Sequence, residues 1–388
     1  MKSFICWTFS WLVLLLIADN HSAEAFSGVE IRWQRSSRDS STSLFLSQAT
    51  IQNTADDAAA TTDTSSSSLP ERKVAILLCP AQFCVPDDYS ELWETLPSHI
   101  DVIEDVADSG SSPTTTRRIA IDKDLSRVVP LSRRDWIKVS KQLPTTNFLD
   151  ATLEVHKTLD WYFDSIEAGL NEILSLSQQK KNNGDNGLDG ICFVGHSIGG
   201  WVARAYLGGL SRSSTAVSKI VLEDNNMVSS LITLGTPHVS PDTALIDQTR
   251  GLLREVAETS ACSSDTLVTE RGIDVTCLCS SSFSGNFITT NIEEFVAASS
   301  YLPLLGKTND SVKGDGIVPL DLAFMEEPAR KIILPECPST GKPIRHSHVL
   351  PTPWNLWDPS AKSIVLDDTD AVSYMSPGVV QQWAQYIR

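Results

Sequence analysis

The sequence predicts an α/β fold, a mostly parallel, doubly wound sheet with helices on both faces, and three stretches carry the prediction. Lys73-Val-Ala-Ile-Leu-Leu-Cys79 is a continuous apolar run, the mark of a strand covered on both faces. Ile191-Cys-Phe-Val194 is a second, leading through Gly195-His-Ser197-Ile-Gly199 into the helix-patterned Trp201-Val-Ala-Arg-Ala-Tyr-Leu207. Ser229-Ser-Leu-Ile-Thr-Leu234 is a third strand, closed by a turn at Gly235-Thr-Pro-His238. Strands alternate with helical patterns and no internal repeat is present, which suits a single sheet.

At 388 residues the chain is long enough to bury a large core, and its formal charge of -17 argues against binding to nucleic acid, since no basic patch offsets repulsion by phosphates. Residues 1–25 read as a signal peptide: Lys2 supplies the positive end, Phe4 to Ala18 the apolar run, and Ala23-Glu-Ala25 the cleavage site. Residues 26–71 read as a transit-peptide-like segment and disordered linker. Arg32, Arg35 and Arg38 outweigh Glu30 and Asp39 in a Ser-rich stretch, followed by low-complexity Ala, Asp, Thr and Ser. Together they resemble the two-part plastid presequence of algae with secondary plastids; the alternative is a secreted protein with a disordered linker. Residues 72–388 are the expected folded domain. Seven cysteines remain beyond Cys6, without the spacing of a disulfide framework or a zinc site; free buried thiols are expected, with one bridge or a redox-sensitive pair among Cys262, Cys277 and Cys279 as the alternative.

Within the domain, Tyr89–Leu96 has helical spacing and Ile100–Ile103 reads as a strand. Asp108–Thr116 reads as a surface loop, Val128 begins a short strand, and Leu153–Leu174 is an amphipathic helix with Leu159, Tyr162, Ile166, Leu170 and Ile173 on one stripe. Lys180–Asp189 reads as a polar turn. Periodicity loosens over 241–306, which is expected to be an inserted cap over the active site.

The chemistry is expected at Ser197. Its glycine neighbours suit a sharp strand-to-helix turn that lifts a serine Oγ clear of the sheet, the nucleophile elbow. A serine hydroxyl needs a histidine base, and the histidine needs a carboxylate to hold its tautomer. The expected chain order is serine, acid, histidine, and only His238, His346 and His348 follow Ser197. Asp315, in the glycine-flanked turn Lys313-Gly-Asp-Gly-Ile-Val-Pro319, is the preferred acid, with Asp242 as runner-up. His348 is the preferred base because Pro351 and Pro353 would stiffen its loop, and His346 is the alternative. His238 and His196 read as structural.

These motifs, Gly195-His-Ser-Ile-Gly-Gly200 with Leu234-Gly-Thr-Pro-His238 and Gly314-Asp-Gly-Ile-Val-Pro319, resemble the α/β-hydrolase superfamily, specifically lipases and GPI inositol-deacylase-like esterases. Ile246-Asp-Gln-Thr-Arg-Gly-Leu-Leu253 and Asp160-Trp-Tyr162 are similar to the plastid-type α/β-hydrolases of plants and algae. The resemblance spans about residues 73 to 388 and implies an α/β-hydrolase fold and serine esterase or lipase chemistry. It carries over Ser197, Asp315 and His348 as the triad. It also implies an oxyanion hole made by the amides of Ile198 and of Gln82 or Phe83, in the loop after the first strand. The family elbow commonly reads Gly-His-Ser-Ala-Gly-Gly, and the bulkier Ile198 departs from it. No cofactor or metal is expected and no partner protein is evident. The expected substrate is a small-molecule or lipid ester, with an acyl lipid of the plastid membrane favoured and peripheral membrane contact through the cap. The alternatives are an acyltransferase with the same triad and a catalytically silent binding protein.

Overall fold

The computed structural model describes residues 71–105, 114–224, 227–245, 247–350, 364–366 and 369–388. Of the signal peptide, transit-like segment and linker expected over 1–71, residues 1–70 lie outside them. Strands form where the apolar runs predict them: β1 (Arg72–Cys79), β5 (Gly190–His196) and β6 (Val228–Leu234) are parallel neighbours in one sheet. That sheet has eight strands in the order β10-β7-β6-β5-β1-β3-β2, with β4 (Arg127–Val128) also pairing to β1. β7 is Asp274–Ser280, β10 is Arg330–Leu334 and β3 is Thr114–Ile121. Only β2 (His99–Asp105) runs antiparallel to its neighbour in the sheet.

The alternation of side chains along a strand divides the core in two. From β1, Ala75, Leu77 and Cys79 enter one cluster, while Val74, Ile76 and Leu78 enter the other, all with no exposed surface. The first cluster is closed by helix α1 (Asp160–Asn182) through Trp161, Tyr162, Ile166, Leu170 and Ile173, and by α2 (Ile198–Leu207), α3 (Ala216–Glu223) and α4 (Leu252–Glu258). Between α4 and the C-terminus lies helix α5 (Ile292–Leu305), and the second cluster is closed by α6 (Pro377–Ala384) through Val379, Val380 and Trp383. Helices on both faces of a mostly parallel sheet are the α/β architecture that the sequence predicts, consistent with an α/β-hydrolase fold.

Several boundaries differ from expectation. The long helix begins at Asp160 rather than Leu153, because Leu159 leaves the helical region at φ -119° and ψ 17° after a separate helical turn over Val155–Thr158. It also continues to Asn182, into the stretch expected to be a turn. Gln178, Gln179 and Lys180 are good helix formers, and Lys180 is anchored to the buried Asp122 carboxylate at 2.8 Å. Residues 114–116, expected in a loop, belong to β3 and pair antiparallel with β2.

The cap expected over 241–306 is corrected as well. β7 runs through the middle of that segment and pairs with both β6 and β10, so it is part of the sheet and not a single insertion. Its Asp274, Thr276 and Ser280 break up the apolar signal that is continuous in β1. The remaining pieces carry α4 and α5. α5 starts at the Asn291 side chain, which accepts from Glu293 N–H, and stops at Gly306 with φ 71°.

All seven described cysteines are buried free thiols. Among the described residues no helix is long and apolar enough to cross a membrane.

Candidate active site

Ser197 sits between the end of β5 and the first turn of α2, with φ 56° and ψ -127°. A side-chain-bearing residue rarely occupies that region, and the surrounding packing must hold it there. Three glycines allow the approach: a Cβ at Gly195 would lie 2.2 Å from Gly200 Cα, one at Gly199 would lie 2.1 Å from the Cys79 carbonyl oxygen, and one at Gly200 would lie 2.1 Å from Thr236 Oγ1. The serine backbone is pinned from β6, since Ser197 N–H donates to Leu234 O at 2.9 Å and Thr236 Oγ1 donates to Ser197 O at 2.8 Å.

The loop after β1 lies against this elbow. Ala81–Cys84 is a turn closed by Cys84 N–H donating to Ala81 O at 3.0 Å, with Phe83 at φ 61°. The Phe83 ring is buried against Trp136, at 5.6 Å between centroids, whereas the half-buried Gln82 lines a cavity with Ser197 and Ile198. Among the described residues no acceptor takes the N–H of Gln82, Phe83 or Ile198.

His196 ties the loops together from beneath. Ala81 N–H donates to Tyr89 Oη at 2.9 Å, Tyr89 Oη–H donates to His196 Nδ1 at 3.0 Å, and His196 Nε2–H donates to His346 O at 2.8 Å. This direction of donation requires one imidazole tautomer, with the proton on Nε2. Burial, reinforced by the neighbouring rings of His346 and His348, holds the His196 pKa well below the usual imidazole range, so the ring stays neutral. Burial likewise raises the Tyr89 phenol and keeps it a donor.

Asp315 occupies a turn between β9 (Lys313–Gly314), which pairs with β8 (Phe283–Ser284), and Pro319. Its carboxylate is only 1% exposed and accepts four hydrogen bonds. Oδ1 takes the amides of Ile317 at 3.1 Å and Val318 at 2.7 Å, and Oδ2 takes Tyr374 Oη–H at 2.9 Å and His346 Nδ1–H at 2.7 Å. The turn is backed by α5, because Gly316 N–H donates to Tyr301 Oη at 2.9 Å. Burial and the nearby carboxylate raise the pKa of both tyrosines, which remain protonated donors.

The histidine on Asp315 is therefore His346, and the expected pairing with His348 is corrected. His346 follows β11 (Ile344–Arg345), and its own N–H donates to Asp315 O at 2.9 Å, which brings the imidazole onto the carboxylate. Two residues on, His348 points elsewhere: its Nε2–H donates to the Asp88 carbonyl and its ring packs on Tyr89 at 5.1 Å between centroids. With Nδ1 donating to Asp315, His346 keeps Nε2 as its proton-accepting nitrogen. Its ring lies 5.3 Å from that of His196, the residue before Ser197. The expected Ser197, Ile198, Gln82 and Phe83 lie around one elbow, and Asp315 is joined to them through His346 and His196. Asp242, the runner-up acid, is exposed.

His238 is structural in its contacts. Its Nε2 is 3.0 Å from Thr233 Oγ1, its carbonyl accepts from Arg204, and burial followed by the Arg204 charge depresses its pKa well below the ordinary value. Reading the sequence alone missed Tyr89, Tyr374, Tyr301 and Gly235. Of these only Gly235 had a local signal, a glycine ending an apolar strand before Thr-Pro.

Residues 156–280 match the family model described as the PGAP1-like alpha/beta domain. The chain carries a PGAP1-like α/β domain of the α/β-hydrolase superfamily. This domain is GPI inositol-deacylase-like and supports a hydrolase or esterase-like function. The PGAP1-like match takes in α1, the elbow at Ser197, β6 and all of β7, and it ends before Asp315 and His346. No curated protein matches the chain. Among the described residues no group of three or more His, Cys, Asp or Glu is arranged to hold a metal ion.

Proposed function

We propose that the protein is a serine hydrolase of carboxylic esters, working through Ser197, His346 and Asp315. The observation that carries this reading is the 2.7 Å pair between buried Asp315 and His346, tied through His196 to a serine at φ 56°. Ser197 Oγ attacks the ester carbonyl as its proton passes to His346 Nε2. Asp315 keeps the imidazole in the required tautomer and stabilises the imidazolium that forms. The oxyanion accepts the amides of Ile198 and of Gln82 or Phe83, each worth on the order of 3 kcal/mol to the transition state. The C–O bond then breaks, the leaving alkoxide takes the proton from His346, and Ser197 is left acylated. Water, deprotonated by the same nitrogen, attacks the acyl carbonyl and releases the carboxylic acid and free serine.

The substrate class proposed is an ester with an apolar portion, because the cavity at Ser197 is walled by Trp136, Val139, Leu159, Trp201 and Leu252. A plastid lipid ester whose apolar bulk lies in the alcohol fits that class, and the presequence-like N-terminus supports that organelle; import of the full chain fused to a fluorescent protein tests the compartment.

The test of the chemistry is fluorophosphonate labelling of wild type and Ser197→Ala, alongside hydrolysis of p-nitrophenyl esters. Labelling and turnover that vanish together in the variant support the reading. A wild type that neither labels nor turns over an ester would falsify it.

A further inference from the structure

The cavity beside Ser197 lies on one side of the elbow, is partly open, and holds little space between its walls. It is lined by Gln82 of the loop after β1, by Ser197 and Ile198 of the elbow, and by Trp136, Leu159 and Leu252 on the far wall. Among the described residues, none that lines it comes from the 344–350 segment that carries His346. In the ester reaction the leaving oxygen must receive its proton from His346 Nε2, so the alcohol lies on the histidine side of the carbonyl. The substituent on the acyl carbon is then directed away from His346, toward this cavity.

Its volume is about 70 Å³. An apolar cavity of roughly 150 Å³ accepts a benzene ring, so the space beside Ser197 holds about half that load. Its indole and leucine walls are set in the core, beside the half-buried Gln82, Gln248 and Thr249. Trp136, Leu159 and Trp201 are 2%, 1% and 1% exposed, and they belong to the same buried cluster as β1 and α1. Close-packed side chains of that kind do not yield several more methylenes without cost.

We propose that this cavity is the acyl pocket and that it restricts the enzyme to esters of short acyl groups, about two to four carbons long. The proposal rests on the ester-hydrolase reading and narrows it. In a lipid substrate the bulky apolar part belongs to the alcohol, outside the cavity, and a long fatty acyl chain does not enter. Leu252 and Val139, 6% and 7% exposed, are the walls whose truncation lengthens the pocket while leaving the triad in place.

The experiment is a series of p-nitrophenyl acetate, butyrate, octanoate and palmitate, with kcat/KM measured for wild type, Leu252→Ala and Val139→Ala. Thermal melts establish that each variant is folded. Wild type is expected to prefer acetate or butyrate over octanoate by about tenfold or more, a discrimination within the range a hydrophobic pocket supplies. At least one folded variant is expected to move the optimum toward longer chains. A wild type that turns over octanoate or palmitate as well as butyrate overturns the short pocket and leaves the hydrolase reading standing. An unchanged cut-off in both folded variants overturns the assignment of the walls. No turnover of any ester, with no fluorophosphonate label at Ser197, overturns the hydrolase reading and the pocket with it.

Discussion

Gly235 offers the sharpest test of the Asp315–His346 pair, because it touches the site without taking part in the chemistry. It ends β6 at φ 54°, and a Cβ there would lie 2.4 Å from Asp315 Oδ2, 2.8 Å from Tyr374 Cε2 and 3.0 Å from His346 Nδ1. A carbon and an oxygen without a bond between them need somewhat over 3 Å, so in Gly235→Ala the carboxylate must retreat by close to an ångström, and it is held by four hydrogen bonds. Alanine in a left-handed conformation costs a further ~1–2 kcal/mol. A displacement of that size near reacting groups costs about 100-fold in rate, and loss of the tautomer hold costs more, up to about 10⁴-fold. Gly341→Ala separates the two effects, since Gly341 has φ 64° but nothing within 4 Å of its hypothetical Cβ. Gly341→Ala is expected to lose the backbone cost alone, read as a fall in Tm of about 2–4 °C per kcal/mol in a chain of this size or somewhat less, and Gly235→Ala to lose that together with the cost of the displaced carboxylate. Only Gly235→Ala is expected to lose activity, with kcat/KM toward p-nitrophenyl butyrate down by about two orders of magnitude or more. Gly235→Ala with wild-type kcat/KM, or Gly341→Ala losing as much, would refute the reasoning.

Three further outcomes are expected. His346→Ala should lower kcat by about 10³-fold or more while His348→Ala keeps most of the wild-type rate; equal losses would mean that the Asp88 contact of His348 matters as much as the Asp315 contact of His346. Tyr89→Phe removes the hydroxyl between Ala81 N–H and His196, leaving a buried donor and acceptor unpaired, so stability should fall by ~1–3 kcal/mol in chemical denaturation, with a smaller loss in kcat than His346→Ala. The buried neutral rings of His196 and His238 have pKa values below those of the unfolded chain, where an imidazole titrates near 6.5. Below that pH the unfolded chain takes up protons that the folded chain refuses, so stability should fall with acidification, by up to about 1.4 kcal/mol per pH unit for each ring. Denaturation midpoints that stay constant from pH 7.5 to 5.5 would contradict this.

The parts legible in the sequence are those decided by near neighbours. Ser197 could be read because the glycines that permit its turn stand within three residues of it, and β1 because six consecutive apolar residues leave no other economical burial. Asp315 carried its own glycine-flanked turn. The choice between His346 and His348 was not local: it depends on the Asp315 carbonyl, which takes the His346 amide and aims the ring. The rigid prolines used to favour His348 lie outside the described residues. β7 was hidden because Asp274, Thr276 and Ser280 break up its apolar residues, although Cys277, Leu278 and Cys279 are fully buried. Tyr374 and Tyr89 act across long sequence separations, 59 residues to Asp315 and 107 to His196, and no spacing rule anticipates such contacts.

The chain of contacts from Ala81 through Tyr89 and His196 to the backbone of His346 joins three loops widely separated along the polypeptide, the last step spanning 150 residues. During synthesis, the first loop and the elbow are made long before the segment with Ile344, Arg345 and His346, and that segment pairs with β14 (Val372–Ser373), which is made later still. β12 (Val349–Leu350) pairs antiparallel with β13 (Ile364–Val365). A polypeptide that stops between Asp315 and Ile344 therefore carries Ser197 and Asp315 without the imidazole that pairs with the carboxylate. In the proposed reaction, the order of synthesis would then delay the serine's activation until the 344–346 segment has joined the fold.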